Sequence, residues 1–332
     1  MSDVQLSLLN DFQRGFPLTS APFDVLAGQL GLDAEAVLDT LRRLRQEGVI
    51  SRVGAVFRPN RIGVSTLAAM VVPGERLAEV ARMVNAHPEV NHNYEREHRF
   101  NLWFVATAAN PAHLERVLRD IEQQTGLAVM RLPMVQDYHI DLGFDLRRTV
   151  AVTQRSRQKA APQQPLELDG LDYALIEAIQ DGLPLVARPY AAVASAIGTS
   201  EAEVLDRMGR LLDHDIIKRL GIIVRHHELG FRANAMVVWD VPDDRVDEFG
   251  RCIGASGLVN LCYQRPRRLP EWRYNLFCMI HGKDRDAVLA HHAHLRDACG
   301  LTDFSCEVLF SRQRFKQTGA RYVEKAPAKE AA

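Results

Sequence analysis

Hydrophobic and polar positions follow two rhythms along this chain. Between residues 33 and 47, Val37, Leu38, Leu41 and Leu44 recur at helical spacing, which predicts an amphipathic helix turned toward a core. Asp33 is placed to cap that helix and Gly48 to stop it. Two shorter helices are predicted ahead of it, near 4–14 and 22–30, and Val49–Phe57 behind it reads as a β-ribbon. Three helices and a hairpin are the order of a winged helix-turn-helix. Beyond residue 60 the pattern predicts strands near 66–73, 90–95, 101–108 and 127–136, with helices near 75–86 and 110–125. Pro73-Gly74 bounds the first strand, and Pro111 opens the second helix at a position where proline is tolerated. Strand, helix, strand, strand, helix, strand is a ferredoxin-like unit.

The order then repeats. Gln13-Arg14-Gly15-Phe16-Pro17-Leu18 matches Gln180-Asp181-Gly182-Leu183-Pro184-Leu185, and Ser51-Arg52-Val53-Gly54 matches Lys218-Arg219-Leu220-Gly221. Asn101-Leu102-Trp103-Phe104 matches Asn275-Leu276-Phe277-Cys278, and Gly126-Leu127 matches Gly300-Leu301. The register holds for about sixty residues and slips only at loops, as insertions between elements would make it do. The fold class is therefore α+β, a tandem repeat of one two-part module. Its divisions are a winged helix at 1–60, a ferredoxin-like domain at 61–147, a linker at 148–168, a second winged helix at 169–228 and a second ferredoxin-like domain at 229–323. Helices near 169–181, 189–197 and 201–214 and a hairpin near 216–225 make up the second winged helix. The linker is polar, basic and proline-containing.

Composition narrows the chemistry only slightly. A 47% hydrophobic and 25% charged content is that of a soluble protein with real cores, and a net charge of -1 gives no general pull toward nucleic acid or anionic membrane. The N-terminus has neither the basic nor the apolar segment of a secretory signal, and no apolar run is long enough to span a bilayer, so a cytoplasmic location is expected. Cys252, Cys262, Cys278, Cys299 and Cys306 form no CxxC pair and read as reduced core thiols.

One stretch departs from the two rhythms. Asn91-His92-Asn93-Tyr94-Glu95-Arg96-Glu97-His98-Arg99 crowds histidine, arginine and tyrosine immediately before the apolar Phe100–Val105. Buried charges cost heavily without partners, so a cleft with the strand as wall and the cluster as rim is the economical reading. The pattern recurs at Asn260-Leu261-Cys262-Tyr263-Gln264-Arg265 ahead of Tyr274-Asn275-Leu276-Phe277, so the chain reads as building such a cleft twice.

A winged helix followed by a βαββαβ module resembles the Lrp/AsnC regulators, over nearly the whole chain and twice. The local motifs point further. Asn91–Glu97 with Asn101-Leu102-Trp103-Phe104, and His139-Ile140-Asp141-Leu142-Gly143-Phe144, look like the small subunit type of the siroheme decarboxylases. Val224–Gly230, Tyr263–Arg268, Tyr274–Gly282 and Arg314–Tyr322 look like the partner type, so the chain resembles a fusion of the two. The resemblance implies loss of carbon dioxide from two acetate side chains of siroheme, giving 12,18-didecarboxysiroheme on the route to haem d1. Iron and conjugated ring arrive with the substrate as the electron sink, so no added cofactor is required. The partners implied are an iron tetrapyrrole and, open from the sequence, homologous decarboxylase subunits or a second copy of the chain.

Siroheme is flat and polyacidic. Its site calls for aromatic surface and fixed cations, and arginine suits it because its fork holds a carboxylate at two points. Arg52, Arg58, Arg99, Arg219, Arg225, Arg265, Arg267, Arg268, Arg314 and Lys316 are the candidate anion holders, with Trp103, Trp272, Tyr263, His92 and His226 as further substrate contacts. His98, Tyr94, His139 and Arg96 are the catalytic candidates, and His98 doubles as a candidate axial ligand of the substrate iron. His98→Ala is accordingly expected to slow turnover more than it weakens substrate retention. His98 stands against Trp272 and His139 near Lys316, so the two clefts are expected to be inequivalent. The copies are expected to pack through their sheets as an internal pseudo-dimer.

Two other classes compete. A DNA-binding regulator would insert its third helix in the major groove, but those helices begin Asp33-Ala34-Glu35 and Ser200-Glu201-Ala202-Glu203, which would repel phosphates. A tetrapyrrole sensor without catalysis would use the same cleft.

Overall fold

The computed structural model describes residues 3–58, 60–140, 166–224 and 233–322. The first winged-helix segment comprises α1 (Asp3–Asp11), α2 (Pro22–Leu30), α3 (Ala34–Gln46) and β1 (Ile50–Phe57). Asp33 caps α3 by accepting from the backbone N–H of Ala36 at 2.7 Å, and Val37, Leu38, Leu41 and Leu44 are buried as their spacing predicts. The first sheet segment comprises β2 (Val64–Met70), α4 (Leu77–Ala86), β3 (Val90–Arg96), β4 (Leu102–Ala108), α5 (Pro111–Thr125), β5 (Met130–Pro133) and β6 (Gln136–Ile140). In the second copy follow α6 (Gly170–Ile179), α7 (Pro189–Ile197), α8 (Glu201–Asp213) and β7 (Ile217–Val224), then β8 (Ala233–Trp239), α9 (Val246–Ala255), β9 (Leu261–Gln264), β10 (Leu276–Gly282), α10 (Arg285–Ala298) and β11 (Cys306–Gln317).

The expected local hairpin is corrected: β1 pairs antiparallel with β7 of the other copy, with Gly54 opposite Gly221. Edge groups must be satisfied, and an edge carries no record of whether its partner is near or far in sequence. The helices of both copies then close on this ribbon to give one shared core, from Leu8 and Phe23 through Leu175 and Met208 to Tyr322. Close approach explains the glycines. A Cβ on Gly221 would lie 2.0 Å from the Gln13 carbonyl oxygen, and one on Gly54 would lie 2.9 Å from the Gly182 Cα. Gly221→Val is expected to cost about 2–4 kcal/mol, because backbone rather than a pliable side chain must give way. A thermal melt checks it.

The remaining strands form one nine-stranded sheet in the order β5-β2-β4-β3-β11-β8-β10-β9-β6. The single last strand expected near 127–136 is two. β5 stays in its own copy against β2, while β6 crosses to pair with β9. β11 does both in one piece, Cys306–Phe310 running along β8 and Ser311–Gln317 along β3 of the first copy. Tyr138 of β6 lies over Gly250 of α9 and donates from its hydroxyl to Asp247 at 2.6 Å, which pins the crossing strand. Each copy keeps its own helix-to-sheet core. A fourth core, with Phe100, Trp103, Leu132, Met236, Trp272 and Phe277, joins residues of both copies.

The cysteine reading is also corrected. Cys252 at the end of α9 and Cys299 after α10 form a disulfide with 5.8 Å between their Cα atoms. Forty-seven residues separate them, so sequence spacing carries no signal of a pairing that the packing of two helix ends creates. Cys262 and Cys278 are buried free thiols, pushed up from the usual range by burial.

Candidate active site

Between the two copies lie two adjoining cavities of about 310 Å³ and about 330 Å³. Ser65, His92, Val105, Leu261, Tyr263 and Gln317 line both, so they are one cleft. Among the described residues, the corresponding segments of the two copies thus line a single shared cleft. Its inner part lies between strands of the two copies, and its outer part lies under the β1–β7 ribbon, closed by residues 317–320 and Tyr322.

The walls are apolar or aromatic, among them Leu67, Trp103, Phe104, Met236, Phe277 and Met279. Into this surface project Arg96, Arg265 and Arg314 in the inner part and Arg52, Lys218 and Arg219 in the outer part. Among the described residues, no aspartate or glutamate lines either part. Fixed positive charge without fixed negative charge is what a polyanionic guest needs.

Tyr94 with Arg96 and Tyr263 with Arg265 are equivalent pairs, guanidinium over ring at 5.6 and 5.3 Å. Arg96 Nη1 donates to the Leu309 carbonyl at 3.0 Å and Arg265 Nη1 to that of Leu132 at 2.5 Å. Burial pushes both guanidinium groups down to about 10, which leaves them charged at neutral pH. The pairs differ in what faces them. Arg314 sits opposite Tyr94 in the β3–β11 ladder, whereas Asp137 sits opposite Tyr263 in the β9–β6 ladder. Burial raises both phenols. Arg96 and Arg314 pull Tyr94 back toward its ordinary value; Arg265 does the same to Tyr263, and Asp137 opposes it there.

Two histidines complete the cleft. Burial pushes His92 down to about 4, helped by Arg52, and His281 down to about 4, helped by Arg96. Both are neutral at pH 7. His281 escapes the sequence reading because it ends an apolar strand like any core residue. Asn260, the counterpart of Asn91, is the signal that could have found it.

Of the sequence candidates, Tyr94, Arg96, His92, Trp103, Arg52, Arg219, Tyr263, Arg265 and Arg314 come together here. The other described candidates do not line it, and each has a physical reason. His98 lies outside the cleft, with Nε2 2.8 Å from Glu307 and Nδ1 accepting from the Phe100 backbone N–H at 2.9 Å. Both nitrogens are engaged by the protein itself. His98→Ala is therefore expected to leave kcat within about threefold and to cost about 1–2 kcal/mol of stability through the lost hydrogen bonds. Turnover and melting measured on one preparation separate the two effects.

His139 lies on β6 with its Cβ against Gly254 of α9, away from the cleft. Arg58 is held by Asp215 and by Asp137 at 2.9 Å, and Arg99 by Glu271. Arg267 is held by Asp243 and by Asp240 at 2.7 Å, while Arg268 Nε donates to the Arg131 carbonyl at 2.8 Å. Trp272 is buried among Trp103, Tyr274 and Phe277. Lys316 donates to the Asn85 and His87 carbonyls at 2.8 and 3.0 Å, closing the end of α4. Arg225 and His226 lie outside the described residues.

Comparison with known proteins gives the family. Residues 61–139 and 228–316 match the AsnC-like ligand binding domain, and residues 6–50 and 172–218 match the siroheme decarboxylase NirDL-like HTH domain. The chain is 44% identical to the siroheme decarboxylase NirDL subunit of Paracoccus denitrificans over 98% of its own length and 99% of that protein. It is 32% identical to the siroheme decarboxylase of Hydrogenobacter thermophilus, over 95% of its own length and 93% of that protein. A crystal structure of siroheme decarboxylase NirDL in complex with an iron-uroporphyrin III analogue superposes with a TM-score of 0.68 at 29% identity, covering 96% of this chain and 93% of that one.

Proposed function

The chain belongs to the siroheme decarboxylase family, and from that premise we propose that its cleft binds siroheme and removes the carboxyl groups of two acetate side chains, giving 12,18-didecarboxysiroheme for haem d1. The observation that carries the reading is the charge pattern of the cleft: among the described residues its lining holds six cations, no acids, and aromatic walls. A flat polyacid is the guest that such a lining stabilises.

Each turnover breaks the bond between the methylene and the carboxylate carbon. Carbon dioxide leaves, and the electron pair stays on the methylene, spread into the substrate's own ring and iron. A proton then converts the methylene into a methyl group. The protein's part is to hold the acid, exclude water and supply that proton. Arg96, Arg265 and Arg314 hold carboxylates. Tyr94 and Tyr263 keep their protons at neutral pH and stand beside those arginines, which makes them proton donors to the bound acid. His92 and His281, neutral, offer nitrogen lone pairs to the substrate iron.

The regulator reading finds no support in the winged helices. Their strands are zipped to one another, and the third helices present carboxylates at their N-terminal ends, Glu35 bound by Arg42 at 2.6 Å and Glu201 by Arg188. No described helix is long and apolar enough to cross a membrane.

Anaerobic incubation with siroheme, followed by product mass and released carbon dioxide, tests the proposal. Loss of two carboxyl groups is the expected outcome. A shifted Soret band with no change of mass would replace it with the sensor reading.

A further inference from the structure

Equivalent asparagines in the two copies each hold a histidine of the cleft, and the histidines are not equivalent. Asn91 and Asn260 are both 2% exposed. The Asn91 Oδ1 lies 2.5 Å from His92 Nδ1, its Nδ2 donating to Thr107 Oγ1 at 3.0 Å. Asn260 Oδ1 lies 2.8 Å from His281 Nδ1. In the second copy Leu261 stands where the first has His92, and in the first copy Thr107 stands where the second has His281. One histidine is the asparagine's neighbour in sequence and the other comes from the next strand, yet both reach the inner cavity with the same ring atom engaged.

We propose that Asn91 and Asn260 are positioning residues for decarboxylation: each side-chain carbonyl accepts the Nδ1 proton of its histidine, leaving Nε2 of His92 and of His281 as the lone-pair nitrogen for the iron tetrapyrrole. A neutral imidazole carries one N–H, and the partner of one nitrogen decides where it sits. His98 shows the opposite setting outside the cleft, its Nδ1 accepting from a backbone N–H. The choice of amide over carboxylate also has a reason. A carboxylate would accept the same proton but would place negative charge in a cavity whose described lining holds none, against a guest that is itself an acid.

The inference rests on the siroheme reading, and its test is built so that the two can fail separately. Asn91→Leu and Asn260→Leu remove the acceptor, whereas Asn91→Asp keeps it and adds the charge. The leucine variants are expected to lower kcat about 10- to 100-fold with KM within about threefold, the usual reach of a residue that orients a metal ligand. The absorption spectrum of bound siroheme, recorded before turnover, should move in the same direction as in His92→Ala. Asn91→Asp should keep kcat within about threefold and raise KM about tenfold or more, because acceptor and charge act on different steps. A residue with a merely structural role would not produce that split.

Leucine variants with unchanged kcat and an unchanged spectrum would overturn the inference. So would an aspartate variant as slow as the leucine one, since the amide would then be donating rather than accepting. If Asn91→Leu does not fold, Asn260→Leu carries the same test. If the parent protein binds siroheme without decarboxylating it, the function proposal fails, while the spectral comparison still decides the asparagine role.

Discussion

Arg96→Met is expected to weaken siroheme binding about 100-fold or more, near 3 kcal/mol, and to leave the ligand-free protein as stable as before or more so. The two effects have one cause. Arg96 is 6% exposed and has no carboxylate within the described structure; it meets the Leu309 carbonyl, the Met279 sulfur at 3.9 Å and the face of Tyr94. A buried guanidinium without a counter-ion is destabilising until an anion arrives, and replacement by an apolar group of similar shape removes that cost. The sign in pH follows. Burial lowers the folded-state value to about 10 from 12.5, so the buried charge costs stability at all pH below about 10 and is relieved as pH rises from there. The size of that cost is about 3 kcal/mol. Anaerobic titration with siroheme and a thermal melt are the measurements. Unchanged affinity combined with a large drop in melting temperature would make Arg96 a packing residue.

Tyr94→Phe is expected to lower kcat by about 100-fold or more while substrate affinity stays within about threefold, the range for removing a positioned proton donor. Tyr263→Phe should lose markedly less. The asymmetry comes from Arg314 opposite Tyr94 and Asp137 opposite Tyr263. Cations beside a phenol ease release of its proton, and a carboxylate beside it hinders release. Mass spectrometry of the product adds a second reading. If one end of the cleft performs both reactions, Tyr94→Phe slows both steps. A Tyr263→Phe protein that stops cleanly after one carbon dioxide would show instead that each end removes its own acid.

The modules were legible in the sequence for a plain reason. Helix spacing, caps and turn residues act within a few positions of one another, and the repeat allowed each copy to check the other. The strand partners were not legible, because β1 and β6 present backbone edges that fit a distant copy as well as a near one. The site divides along the same line. Tyr94, Arg96, Tyr263 and Arg265 line the cleft, and the sequence points to them because both copies keep them in one place. Arg58, Arg99, Arg267 and Lys316 looked just as suitable, and nothing local reveals that their charge is already answered by Asp215, Glu271, Asp240 or the end of a helix. His98 is engaged in the same way by Glu307, more than two hundred residues distant in the chain.

The exchange of β6 and the far half of β11 has one more consequence. Severing the backbone between Ile140 and Leu166 would not free either piece, since each fragment would hold a strand that completes the other's ladder and both would share the core under the ribbon. The same molecule could therefore be encoded as one gene or as two.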